Sequence, residues 1–397
     1  MPKILNSSRN KEGNEIHDNS HDLSLNNRCE MILSMEDKIS LEETYILGLC
    51  GTQTEPEFRF AAALSDYSSV IYNVGENLTK LITLTDNDSP IVGIKFSPSS
   101  KNILYTATKQ GTITACDLRA KGRIIAELKD NSAEGKLRPL SSFDISGDDK
   151  LVAAGTEHTG GDAFILFWDV RYNNSKSNSK NDLLGGYWES LMDDVTSLTF
   201  HPNKPNILTS GSTDGLINVF DVTQPSEDSA LSYSLNTESS VDRLGWLADD
   251  IWCTTHTHSL QLWKCEDACP FIKYERNNIE TYLAESQDSS YLVNMHSPET
   301  LNQPFLLTGA SSTKGENLHG VIVKSDGMEI CYDFPDNKQI VRDSWYHDKS
   351  GLLITGGEGG FINVWKPSQS LTFNRNMEQK LIMKTNGKEK LNRAKPY

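Results

Sequence analysis

The stretch VTSLTFHPNKPNILTSGSTDGLINVFDV (residues 195–222) reads as three short strands joined by two turns. VTSLTF alternates apolar and polar residues, HPNKPN turns the chain, and ILTSGS runs apolar into a tight Thr213-Asp214-Gly215 turn before LINVFDV. Asp-Gly between two β-rich runs marks a hairpin, because that turn needs positive φ. The same grammar returns in IVGIKFSPSSKNILYTATKQGTITACDLR (91–119), LSSFDISGDDKLVAAGTEHTGGDAFILFWDVR (140–171) and IVRDSWYHDKSGLLITGGEGGFINVWKP (340–367). Weaker copies lie at 59–74, 241–265 and 291–326.

Aligning the ends of the third strands gives a ladder: Tyr72-Asn73, Cys116-Asp117, Trp168-Asp169, Phe220-Asp221, Trp263-Lys264, Ser325-Asp326 and Trp365-Lys366. Its rungs are 44, 52, 52, 43, 62 and 40 residues apart. A period near 40–45 with an aromatic-Asp ending is that of four-stranded propeller blades, the longer intervals holding insertions such as YNNSKSNSKN. From about Thr44 to Pro367 the chain resembles the WD-repeat β-propeller family, through FDISGDDKLVAAGTE, FWDVR, ESLMDDVTSLTFHPNKPN and LLITGGEGGFINVWKP. The resemblance implies an all-β, seven-bladed propeller of four-stranded antiparallel blades over 41–374. A mostly disordered tail is expected at 1–40 and a basic tail at 375–397.

Closing such a ring needs an outer strand for the last blade, and either MILSM (Met31–Met35) or LTFN (Leu371–Asn374) fits; the reading leans to the locally supplied LTFN, with the N-terminal segment covering it. Many WD repeats bury a hydrogen-bond network built on a Gly-His pair. This chain has no Gly-His dipeptide, Leu191 stands where that His would fall in ESLMDDV, and four of the seven ladder positions are not Trp. Packing between blades should then lean on apolar burial, at about 25 cal/mol per Å², giving ordinary stability.

The chain has 397 residues, with 38 Lys and Arg against 54 Asp and Glu, a formal charge of −16. That balance argues against a broad nucleic-acid footprint. Residues 375–397 are the exception, with seven Lys/Arg and two Glu, +5 on a body of −21. Such a tail suits nuclear import, weak RNA contact or simple solvation. No run approaches the ~20 apolar residues of a membrane span, and the polar N-terminus does not read as a secretory signal. Seven irregularly spaced Cys suggest reduced thiols, hence an intracellular, nuclear or cytoplasmic chain.

Catalytic and metal motifs find little support. Cys253, His256, His258, Cys265 and Cys269 crowd into 17 residues. A hairpin, however, would put Cys265 roughly 23 Å along the strand from His258, at ~3.3 Å per residue, too far for one zinc ion. GGEGG (356–360) lacks the Lys and Ser/Thr of a P-loop, STDG (212–215) is only a fragment of an Asp box, and there is no G-x-S-x-G elbow. Asp148-Asp149 and Asp193-Asp194 read as turn acids. No cofactor, metal or catalytic residue is expected.

Function is expected on the rim, where rigid scaffolds carry binding residues on loops. On one face the reading places Asp66, Lys109, His158, Asp162, Asp214, His256 and Glu358 in the turns between second and third strands. Asp193, Asp194, Asp242, Arg243, Arg342 and Asp343 fall in the links between blades, with Arg243 and Arg342 suited to carboxylate or phosphate. The leading reading is a non-enzymatic scaffold or adaptor for protein partners. Alternatives are a reader of basic peptides (histone-tail or ribosomal-protein type) and, from rare members of the family resembled, an ester hydrolase.

Overall fold

The structure is a computed structural model and describes residues 28–39, 43–85, 87–130, 137–171, 183–283, 289–298, 303–312 and 315–368. The unit at 195–222 forms the strands Ser197–His201, Lys204–Gly211 and Leu216–Asp221, and Leu231–Asn236 adds a fourth. The tight turn sits at Gly215, with φ +87. The corresponding turn of the next sheet places His258 at φ +59, a conformation that costs a side chain more than it costs Gly.

Five four-stranded antiparallel sheets follow this plan, covering residues 46–84, 91–129, 140–187, 197–236 and 241–274. The rest is one eight-stranded sheet holding 290–333, 341–367 and Cys29–Lys38. Where the sequence reading expects seven separate blades, the described residues form five four-stranded sheets and this larger one. Its halves meet along a parallel contact of two residue pairs, Cys29↔Tyr332 and Glu30↔Asp333.

Cys29–Lys38 supplies the outer strand next to Phe361–Pro367, running antiparallel from Met31↔Pro367 to Lys38↔Phe361. This corrects the lean towards LTFN, which lies outside the described residues. It also carries ordered structure into the segment 1–40 that was expected to be mostly disordered. The physical reason is length and pattern: ten residues span the whole neighbouring strand, whereas LTFN could cover half of it. Met31 and Cys29 bury themselves against Trp365 and Tyr332, and Met35 packs beside Ile362 and Val364.

The ladder needs one correction. Ser325-Asp326 is a turn, and the position equivalent to Trp365 is Val321: Val321 pairs with Leu306, which pairs with Met295, as Trp365 pairs with Leu353 and Leu353 with Tyr346. A long hairpin ending at Gly327 carries the polar pair beyond the buried position. Leu191 is buried among Ala153, Ile165 and Val195, an apolar plug where the family resembled often has His.

Each sheet packs on the next through its own apolar cluster. One joins 46–84 to 91–129, and others follow round the ring until Ile354, Ile362 and Val364 meet Phe60 and Tyr72 of the first sheet. The first strands touch one another round the centre, most thinly between Val241–Leu247 and Ser290–His296. Most of them carry a bulge near one end, skipping Leu47, Val92, Ser141, Asp242, Val293 and Arg342. A bulge bends the strand and re-aims its side chains. Here it turns polar groups of one sheet onto the open backbone edge of the next.

Candidate functional site

Those edges are the first thing the polar side chains serve. Asp343 accepts the Leu49 N–H at 2.7 Å, its neighbour Ser344 N–H at 2.9 Å and the Arg243 guanidinium at 2.8 Å. Arg243 also donates to the Arg342 carbonyl at 2.9 Å, so it bridges first strands a hundred residues apart where the ring is thinnest. Burial works against its charge, but Asp343 and Asp242 hold its pKa above the usual arginine value. Asp144 does the same work elsewhere, accepting the Phe200 N–H at 2.8 Å and the Lys95 ammonium. Asp343→Ala should cost about 2 kcal/mol, below the range for a fully buried pair because Arg243 is partly exposed. Asp343→Asn should cost less, since its amide oxygen still accepts from Leu49. Urea unfolding of the two variants checks both figures.

Many of the other expected rim residues are also tied to one another. The His158 N–H donates to Asp194, and the Asp194 N–H to Asp193 at 2.9 Å. Lys109 pairs with Glu157 at 2.7 Å, which with the field of Asp194 raises the lysine pKa. Asp214 accepts the Met192 N–H at 3.2 Å and closes its own turn through Leu216. Asp66 closes its turn on Ser68, Asp162 bridges to Thr159, His256 faces Asp242 at 3.7 Å, and Arg342 pairs with Glu358. The structure therefore gathers Lys109, Glu157, His158, Asp193, Asp194 and Asp214 on one arc. It sets Asp242, Arg243, His256, Arg342, Asp343 and Glu358 on another.

The thiols of the sequence cluster part company. Cys253 is buried inside its sheet, where desolvation pushes its pKa up to about 12, while Cys269 is exposed beyond the third strand. His258 is driven down by burial and then by nearby Arg276.

The residues that sequence reasoning missed sit in the link 188–194. Trp188 is 52% exposed and Met192 72% exposed. The backbone beneath them is held: the Glu227 carboxylate accepts N–H bonds from Trp188, Glu189 and Ser190 at 2.7, 3.0 and 2.8 Å. Phe164 lies 6.4 Å from the Trp188 ring, and the Arg138 guanidinium stands over Phe164 at 4.3 Å. A Trp in a polar link carries no sequence signal that separates an exposed ring from a buried one.

Comparison with known proteins decides the architecture. Residues 190–221 match the family model "WD domain, G-beta repeat". The fold is a WD-repeat β-propeller. Several curated relatives match along most of the chain. WD repeat-containing protein GTS1 of Arabidopsis thaliana is 29% identical over 318 residues, 76% of each protein. An uncharacterized WD repeat-containing protein of Saccharomyces cerevisiae is 27% identical over 289 residues, 71% of this chain and 68% of its own. The WD repeat-containing protein 89 homolog of Dictyostelium discoideum is 25% identical over 347 residues, 86% of this chain and 88% of its own. WD-repeat propellers are typically protein-interaction scaffolds.

Proposed function

We propose that this propeller has seven blades and works as a non-enzymatic adaptor, holding a protein partner on the rim around Trp188 and Met192. The seven-blade reading divides the eight-stranded sheet at its two-pair parallel contact, and the apolar clusters between successive sheets support the division. One observation carries the functional reading: an exposed Trp and Met on one link whose backbone is clamped by Glu227. Burying such side chains yields much of the energy of a typical interface, and the clamp lowers the ordering cost of binding. Glu189, Asp193, Asp194 and Asp214 around them favour a basic partner surface, the form this reading shares with a reader of basic peptides.

Trp188→Ala should weaken a stoichiometric partner at least tenfold, about 1.4 kcal/mol or more, and leave the melting temperature unchanged. Asp193→Lys should weaken it further at low salt than at high. Affinity capture of the wild type, followed by titration of the captured partner against each variant, tests this. Unchanged binding by both variants would rule the rim out.

A further inference from the structure

Beside Trp188, between the edge of the third sheet and the short helix Glu227–Ala230 of the fourth, lies a groove of about 450 Å³. Its floor holds Phe167 and Tyr187, whose rings meet edge to face at 4.9 Å. Its wall is the strand Leu183–Tyr187, bonded on one side to Ile165–Asp169; among the described residues no strand pairs with its other side. Leu184 on this edge is 57% exposed.

Open edges normally carry charge against unwanted pairing. Leu78–Leu84 has Lys80, Arg123–Lys129 has three charges, and Ile272–Tyr274 has Lys273. Leu183–Tyr187 reads LLGGY, with none. Leu231–Asn236 also lacks charge, but only Leu183–Tyr187 forms the wall of this groove. Gly185 and Gly186 leave the wall low, so another backbone could come close.

We propose that this edge accepts an extended segment of a partner protein by strand addition, and that the segment is apolar with flanking Lys or Arg. The charge argument comes from the lining, which contains Glu189, Glu227 and Asp228 and, among the described residues, no Lys, Arg or His. Glu227 is already engaged by backbone N–H groups, so exposed Glu189 and Asp228 are left to meet the partner's cations. Strand addition supplies main-chain bonds for affinity, while the apolar side chains enter the groove. The chain's own basic stretch at 375–397 is a poorer occupant. It follows Ser368 in the last sheet, across the ring from the groove, and its LIM triplet begins only about a dozen residues on. The proposal rests on the protein-binding reading above and gives one partner segment its chemistry and its place.

The test is fluorescence anisotropy with the labelled peptide Gly-Lys-Leu-Val-Leu-Lys-Gly and the full chain. Binding should weaken about tenfold or more in Leu184→Lys, in Asp228→Lys, and when Glu replaces both peptide lysines. N-methylation of two adjacent peptide residues should abolish it. No binding at millimolar peptide, or equal binding to Leu184→Lys, overturns the groove. If the peptide instead responds to Met192→Lys and Asp193→Lys alone, the rim reading stands and the groove fails. Leu184 is exposed, so its substitution leaves the fold intact, and a matching melting curve confirms that.

Discussion

A chain lacking residues 1–38 is expected to lose the cooperative unfolding transition of the propeller and to aggregate, whereas deletion of 371–374 leaves the transition in place. The difference follows from which segment fills the outer edge of Phe361–Pro367. Cys29–Lys38 pairs along that whole edge and brings Met31 to 2% exposure against Trp365. It is fastened at its far end, where the Tyr72 hydroxyl donates to Asp37 at 2.6 Å and links the last sheet to the first. Lys338 meets Glu36 at 3.3 Å on the same strand. Without the strand, a row of backbone groups and a Trp-centred cluster face water, and the ring loses a tie at its closing seam. A single substitution measures part of this. Met31→Asp places a charge in that cluster and should cost more than about 3 kcal/mol. Circular dichroism melts and size-exclusion profiles decide the matter; a truncated chain that melts within a few degrees of the full one would place the closure elsewhere.

The repeat was legible because local chemistry writes it at every turn. Asp214-Gly215 carries the positive φ its hairpin needs, and Trp168, Phe220, Trp263 and Trp365 are all buried at the end of their third strands. The sixth unit misled because a Ser-Asp pair resembles the ending when read alone, while the true position, Val321, is fixed only by its partners across the sheet. Closure was illegible for a related reason. MILSM and LTFN are both short apolar segments, and the choice depends on geometry at opposite ends of the chain.

The centre of the ring was hidden more deeply still. Asp343 and Arg243 read locally as rim residues, and nothing local indicates that their charges meet across a hundred positions. The absent Gly-His network suggests that packing between blades leans on apolar burial. The structure instead links neighbouring sheets through other polar pairs at the turn after the first strand. Ser97 donates to Asp149 at 2.6 Å, His201 faces Asp249 at 3.2 Å, and His347 donates to the Thr54 carbonyl at 3.2 Å. Because the polar partners come from different repeats, one repeat read in isolation does not reveal them.

Acid is expected to destabilise the fold through His296 above all. It is buried between sheet halves, bonded to the Ser344 hydroxyl at 2.8 Å with the rings of Phe305 and Tyr346 nearby. Desolvation lowers its pKa from 6.5 to about 3. Above pH 6.5 it is neutral in both states and contributes no pH dependence. As pH falls below 6.5 the unfolded chain takes up a proton that the folded one refuses until about pH 3, so stability is lost throughout that window. One group gives a slope of about 1.4 kcal/mol per pH unit, and the loss is complete only near the folded value. His347, lowered by burial while accepting the Ser350 N–H, adds to the loss in the same direction. The depressed carboxylates Asp148 and Asp169 act lower, since their stabilisation is lost only as pH falls through values below 3.8. Urea unfolding between pH 4.5 and 6.5 therefore reads mainly the histidines, against Asp250, whose pKa burial raises and whose effect runs in the opposite direction. His296→Gln, which keeps a hydrogen-bonding partner for the Ser344 hydroxyl but cannot titrate in this range, should lower stability at pH 7 and flatten the slope by about 1.4 kcal/mol per unit. An unchanged slope in that variant would mean that His296 takes up its proton in the folded ring as readily as in the unfolded chain.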